Sequence, residues 1–228
     1  MKIKFLVVIL TFMSLAVLSV AGFYIYQFFN RPADSTQLPN VNLVINNKGS
    51  ETEEGAETKI EETLKETRVL KEDFEMTLPS GWQETDTPPE GIWLMAIDTR
   101  EDVSGGVFQK LDFRTNLSVK SDDITKYAGI SSFEDYISSV KASLVQTIPS
   151  IDFIGETEKT VNGLRAIFIE CSSLQEEADF KTLLVFVKAS DNIIYAVSFN
   201  TFQDSWLVYK SLFYWMAESF KLKYKIGS

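Results

Sequence analysis

From Phe5 to Phe29 the chain runs 25 residues without a charge and is mostly apolar, with Lys2 and Lys4 ahead of it and a polar chain behind. A helix rises about 1.5 Å per residue, so this run can cross a hydrocarbon core of roughly 30 Å with some tilt. We read residues 1–29 as one transmembrane anchor. The alternative is a cleaved secretory signal, because Ser19-Val20-Ala21 before Gly22 offers small residues where a peptidase could cut. Against cleavage, the chain stays apolar through Phe23, Tyr24, Ile25 and Tyr26 to Phe28 and Phe29, whereas a signal's apolar core spans only about 7–15 residues. Tyr24, Tyr26, Phe28 and Phe29 also have the character of an aromatic interface belt. Lys2 and Lys4 place the N-terminus in the cytoplasm by the positive-inside rule, so the rest is exported on either reading. No cysteine directly follows the run, which excludes a lipoprotein anchor.

The sequence holds 22 Lys and Arg against 32 Asp and Glu; setting aside Lys2 and Lys4, the exported part carries 20 against 32, a net charge of −12. Nucleic-acid and anionic-lipid binding need clustered cations, and no such cluster is visible, so nucleic acid is not expected as a partner. The single cysteine, Cys171, rules out an intramolecular disulfide, and its apolar setting suits a small core residue. Histidine is absent, which removes Ser-His-Asp and Cys-His nucleophile systems, histidine–zinc sites and the usual physiological-pH switch. Any catalysis would have to run on carboxylates, lysines or tyrosines.

Residues 30–72 hold Pro32 and Pro39, many Thr and Asn, a Glu-rich tract at 51–54 and no aromatic residue. Such a composition buries too little surface to offset chain entropy, and we read it as a flexible acidic linker with an r.m.s. span of about 35–40 Å. Within it, residues 41–45 could form a stray strand or docking segment. Residues 56–70 could form a marginal helix, with Glu61 and Lys65 at i,i+4.

From residue 73 to 228 the chain becomes aromatic and alternating, enough for one exported domain. Phe74, Met76 and Leu78 alternate before Pro79, and Ser80-Gly81-Trp82 reads as a turn. A second strand is expected over 92–97 and a long third one from Val107 through Phe113 to Val119. A helix follows, with Ser131 and Glu134 as a capping box, Phe133, Tyr136, Ile137, Val140, Leu144 and Ile148 on one face, and Pro149 as its stop. Strands are expected over 151–157, 164–172, 180–188 and 193–202, joined by tight turns at Asn162-Gly163 and Asp191-Asn192 that demand antiparallel pairing. A last helix near Asp204 carries Leu207, Tyr209, Leu212, Phe213, Met216 and Phe220. This order predicts an α+β fold with helices packed across one antiparallel sheet.

These stretches resemble a known family. The residues are Phe74-x-Met76-x-Leu78-Pro79-x-Gly81-Trp82, then Phe113-Arg114-x-Asn116-Leu117-x-Val119 and Ser132-Phe133-Glu134-Asp135-Tyr136. With them go Val161-Asn162-Gly163-Leu164-Arg165-Ala166, the strand around Tyr195-Ala196-Val197-Ser198-Phe199, and the closing Ser219-Phe220-Lys221. Over residues 73–223 the pattern is similar to that of the PsbP/DcrB-like proteins, which share their fold with the Ran-binding Mog protein. The resemblance implies an α/β/α sandwich on a curved antiparallel sheet, and a non-catalytic binding or assembly role. It carries over no functional residues, and without histidine the metal contacts of photosystem relatives have no counterpart here.

Among candidate sites, Asp122-Asp123 and Glu176-Glu177 with Asp179 are the densest carboxylate groups; they suit weak Ca²⁺ binding or, more simply, solvated loops. Asp98-Thr99-Arg100 lacks the glycine of an aspartic-protease loop and reads as a strand end, and no phosphate-binding glycine pattern surrounds the other turns. Asn116-Leu117-Ser118 fits a glycosylation sequon, but it lies inside a strand. Trp82 and Trp93, flanking a Pro-rich loop, and Arg114 and Arg165, within apolar strands, are the candidate interface or pocket residues; no catalytic, cofactor or metal residues are assigned. The expected function is a membrane-anchored, extracytoplasmic binding or assembly module acting on another envelope protein, without a cofactor. A carboxylate-dependent envelope hydrolase and an extracytoplasmic cation or small-ligand sensor stand as alternatives.

Overall fold

The computed structural model describes residues 66–103, 111, 113–175 and 178–223. Phe5–Phe29 and most of the linker lie outside them, as do Glu176 and Glu177. Among the described residues no helix is long and apolar enough to cross a membrane.

Strand β1 (Thr67–Leu70) and the two-residue β10 (Lys221–Leu222) flank β2 (Phe74–Leu78) in a small antiparallel sheet. The helix expected over 56–70 therefore does not reach its end: Val69 is buried, and Thr67 to Leu70 pair in full with Leu78 to Glu75. β-branched side chains favour that extended form. In β2 the alternation holds, with Phe74, Met76 and Leu78 buried. After the turn at Gly81 (φ +83°) the chain forms β3 (Trp82–Glu84), a strand too short to leave a periodic signal.

The main sheet is open, curved and antiparallel throughout, in the order β3-β4-β5-β9-β8-β7-β6. Its members are β4 (Leu94–Asp98), β5 (Asn116–Asp123), β6 (Asp152–Val161), β7 (Leu164–Gln175), β8 (Ala178–Lys188) and β9 (Ile193–Phe202). Of the long third strand expected from Val107 to Val119, residues 107–110 and 112 lie outside the described residues. Strand β5 itself begins at Asn116, with the Thr115 amide turned to the Glu101 carboxylate and the Thr115 carbonyl accepting from the Asp98 amide at 2.9 Å. The β6–β7 connection is the expected two-residue turn, with Asn162 at φ +48° and Gly163 at φ +84°, the left-handed pair that matches strand twist.

Helix α1 (Phe133–Thr147) starts one residue later than the sequence suggests. Ser132 caps it, accepting from the Asp135 amide at 3.0 Å, and Asp135 accepts in return from the Ser131 hydroxyl at 2.8 Å. Glu134, expected in the box, is drawn away to Arg165. Helix α2 (Trp206–Glu218) follows a single 3-10 turn. Alternation along the strands sends one set of side chains to each helix. Leu183, Val185 and Val187 of β8 pack with Tyr209, Phe213 and Met216 of α2, while Leu184 and Phe186 pack with Tyr136, Ile137 and Val140 of α1. Leu207, expected on the apolar stripe of α2, is instead 88% exposed, since Trp206, Tyr209 and Phe213 already define the buried face.

Candidate functional site

A groove opens between the flank of α1 and the sheet, with a cavity volume of about 70 Å³. One wall is a ridge of helical residues at every fourth position, Tyr136, Val140, Leu144 and Ile148, which the 3.6-residue period stacks along one side. The floor comes from alternate residues of four strands that face α1. On β8 and β7 it is Leu184, Phe186, Thr182 and Cys171; on β5 and β9 it is Ser118, Lys120, Ala196 and Ser198.

The polar groups beneath this floor bond to one another. Asn200 accepts from the Thr182 hydroxyl at 2.9 Å and donates to Asn116 Oδ1 at 3.1 Å and Ser198 Oγ at 3.2 Å. At one end Asp122 takes hydrogen bonds from both Tyr127 (3.0 Å) and Tyr136, and Lys120 Nζ lies 2.7 Å from Asp122 Oδ2, the oxygen that Tyr136 also uses. Burial opposes ionisation of Asp122, but the Lys120 charge and the two phenol donors overcome it, so its pKa lies below the ordinary aspartate value. Burial raises the Tyr136 and Tyr127 phenols, and the facing carboxylate adds to it, so both stay protonated. The Cys171 thiol is pushed up to about 12 by burial, so it is no nucleophile at neutral pH.

A second cluster lies where β4 ends. Asp98, 1% exposed, receives Arg100 in a two-pronged bond (2.9 and 2.6 Å) and the Tyr209 hydroxyl at 3.0 Å. The Arg100 stem lies across Gly81, where a Cβ would stand 2.3 Å from Arg100 Cδ. Beside it Glu101 accepts from the Thr115 amide and hydroxyl, both at 2.5 Å. Burial raises the Glu101 pKa. These are two converging carboxylates, one with a raised pKa, yet each oxygen pair is held by protein donors and neither residue lines the groove.

The four residues singled out from sequence lie in separate settings, and none lines the groove. Trp82 is buried, edge-on to Tyr209 (6.5 Å) and Phe213 (6.3 Å), its indole N–H without a partner among the described residues. Trp93 is 49% exposed and donates to Ser121 Oγ at 2.9 Å. Arg114 donates to the Glu101 carbonyl at 2.9 Å. Arg165 joins Glu158 and Glu134 above the Phe133 ring. Of the acidic clusters, Asp123 caps the short turn after β5 by accepting from Thr125, and no group of three or more metal-ligating side chains occurs among the described residues. The groove has a trace in the sequence: Asn116, Ser118 and Lys120 alternate with Leu117 and Val119, and Ser198 and Asn200 stand on either side of Phe199 after an apolar run from Ile193 to Val197.

No protein-family profile matches the chain, and no curated protein matches it. Among solved structures it is similar to the cyanobacterial PsbP of Synechocystis, at 19% identity over 65% of this chain and 86% of that one, with a TM-score of 0.46. It is also similar to LpqN of Mycobacterium tuberculosis, described as involved in cell envelope biogenesis, at 11% identity over 70% of this chain and 91% of that one, TM-score 0.46. The Ran-binding protein Mog1p of Saccharomyces cerevisiae is similar at 10% identity over 70% of this chain and 96% of that one, TM-score 0.46.

Proposed function

We propose that this protein is a membrane-anchored, extracytoplasmic binding or assembly module that performs no catalysis. The observation that carries the reading is the chemistry of the groove. Among the described residues no carboxylate lines it, its one thiol is held protonated by burial, and its one ammonium is already matched by Asp122. A site with apolar walls and a few internally bonded polar groups is suited to binding and lacks the acid–base pair that bond cleavage needs. The apolar run from Phe5 to Phe29, the acidic linker and the sequence pattern shared with PsbP/DcrB-like proteins support tethering to a membrane and a partner in the envelope. Tethering raises effective concentration near membrane partners, with reach set by linker length.

The test is crosslinking in intact native membranes followed by mass spectrometry. Recovery of one envelope protein in stoichiometric amount, with the first 29 residues retained in the mature chain, supports the reading. A processed chain released from the membrane, or no crosslinked partner, overturns it. The hydrolase alternative rests on Glu101, whose pKa is raised by burial and by the neighbouring Asp98. It requires those carboxylates to be freed from Thr115, Arg100 and Tyr209 before they could act.

A further inference from the structure

We propose that the groove beside α1 binds a small uncharged amphiphile, an apolar body bearing one hydroxyl or amide, independently of any protein partner. Three features select that chemistry. The first is size: a cavity volume of about 70 Å³ holds about five water-sized groups, which suits a short chain or small ring and excludes a helix or a peptide strand.

The second is the division of the floor. Leu184 and Phe186 on β8 face the Val140–Leu144 side of α1 and offer an apolar bed. Across β9 the floor changes to Ser198 and Ser118, which lie opposite each other in the β5–β9 register. Ser198 is engaged by Asn200. Ser118 is 6% exposed and lines the groove beside it. A hydroxyl on the groove floor offers a ligand donor or acceptor a hydrogen bond at that point.

The third is charge. Among the described residues Lys120 is the one cation lining the groove, and Asp122 sits 2.7 Å from it. A ligand carboxylate would have to share Lys120 with Asp122, and a ligand ammonium would face Lys120 with no lining carboxylate to receive it. Only an uncharged ligand leaves the pair undisturbed.

The experiment uses the full chain in lipid nanodiscs, with methyl-labelled Val, Leu and Ile, and empty nanodiscs as the partition control. Hexan-1-ol, hexanamide, hexanoate and hexylammonium are each titrated at neutral pH. The alcohol and the amide should shift the Val140, Leu144 and Leu184 methyl signals saturably, and the two ions should bind weaker by roughly tenfold or more. Ser118→Ala should weaken the neutral pair by roughly twofold to tenfold while leaving their relation to the ions unchanged. Ala196→Leu, which fills the floor, should abolish binding, and Leu144→Phe repeats that test from the helix side if Ala196→Leu does not fold. Equal or tighter binding of either ion, saturable binding that survives both filling variants, or no saturable shift overturns the proposal. Crosslinking of the Ala196→Leu chain in membranes separates this outcome from the partner reading, since the partner should still be recovered.

Discussion

The Asn162 side chain donates two hydrogen bonds from one nitrogen, to the main-chain oxygens of Glu218 at 3.0 Å and of Phe220 at 2.8 Å. The β6–β7 turn thereby grips the chain as it leaves α2 and enters β10. The left-handed conformation that lets Asn162 make the turn also aims its amide at the helix end. Asn162→Asp keeps the turn but sets a carboxylate against two carbonyls, and it should destabilise the domain by about 1–3 kcal/mol. Asn162→Gly keeps the backbone and removes only the donors, so it should lose less. Urea denaturation midpoints of the two variants, with unchanged slopes, test this order; no loss in either would show that the clamp contributes nothing.

Gly81 is required by what lies over it. Gly81→Ala places a methyl group inside the Arg100 stem and strains a backbone at φ +83°. Displacing Arg100 leaves Asp98, which is 1% exposed, short of its charge partner, with a loss of about 3–5 kcal/mol. Arg100→Ala should produce a similar loss, and the double variant little more than either alone. Additive losses in a double-mutant cycle would break the connection between the two residues.

Asp122 links stability to acid. Its folded-state pKa lies below the unfolded value, so its contribution is complete above about pH 4 and is lost as pH falls through the folded value. Asp122→Asn should flatten the stability curve on its acid side. It should also destabilise the protein at pH 7 by roughly 2–4 kcal/mol, because Lys120 loses its charge partner and one of the two oxygens that accept from Lys120, Tyr127 and Tyr136 becomes an NH2 donor. Thermal melts from pH 3 to about 7 read both effects; an undiminished acid slope in the variant would assign the acid response to other carboxylates.

Cys171 should be silent toward a disulfide reagent while the protein is folded. Its thiol is buried and pushed up to about 12, so the thiolate fraction at pH 8 is small and shielded. Labelling should proceed at the rate of unfolding and become immediate in denaturant. Rapid labelling of the folded chain would mean that the groove floor opens more readily than its packing implies.

The parts of the fold written in local chemistry were legible. Asn162-Gly163 announced a two-residue turn because few other pairs accept positive φ at both positions. The Phe133-to-Ile148 spacing announced α1, and the preference for extended backbone before Pro149 announced its end. What was not legible depended on distant partners. Thr67 to Leu70 become a strand only because β2 lies alongside, and β3 is too short to show a period. Glu134 leaves the cap for Arg165, 31 residues ahead in sequence. Leu207 reads as core until Trp206 fixes the buried face of α2. The groove is the extreme case: Ser118, Ala196 and Ser198 are small residues from separate strands, and only the β5–β9 register brings them to one floor.

The place of β9 in the sheet sets the order in which this protein can be made. β9 bonds to β5 on one side and to β8 on the other, so the β3-β4-β5 ribbon and the β6-β7-β8 ribbon share no ladder without it. A chain emerging N-terminus first holds two separate ribbons, each with an open inner edge, until residues 193–202 arrive. Closing the sheet then joins Asp123 to Ile193 and Asn116 to Asn200 in one step, over a long loop of intervening chain. The complete sheet can therefore close only once β9 has been made, late in synthesis.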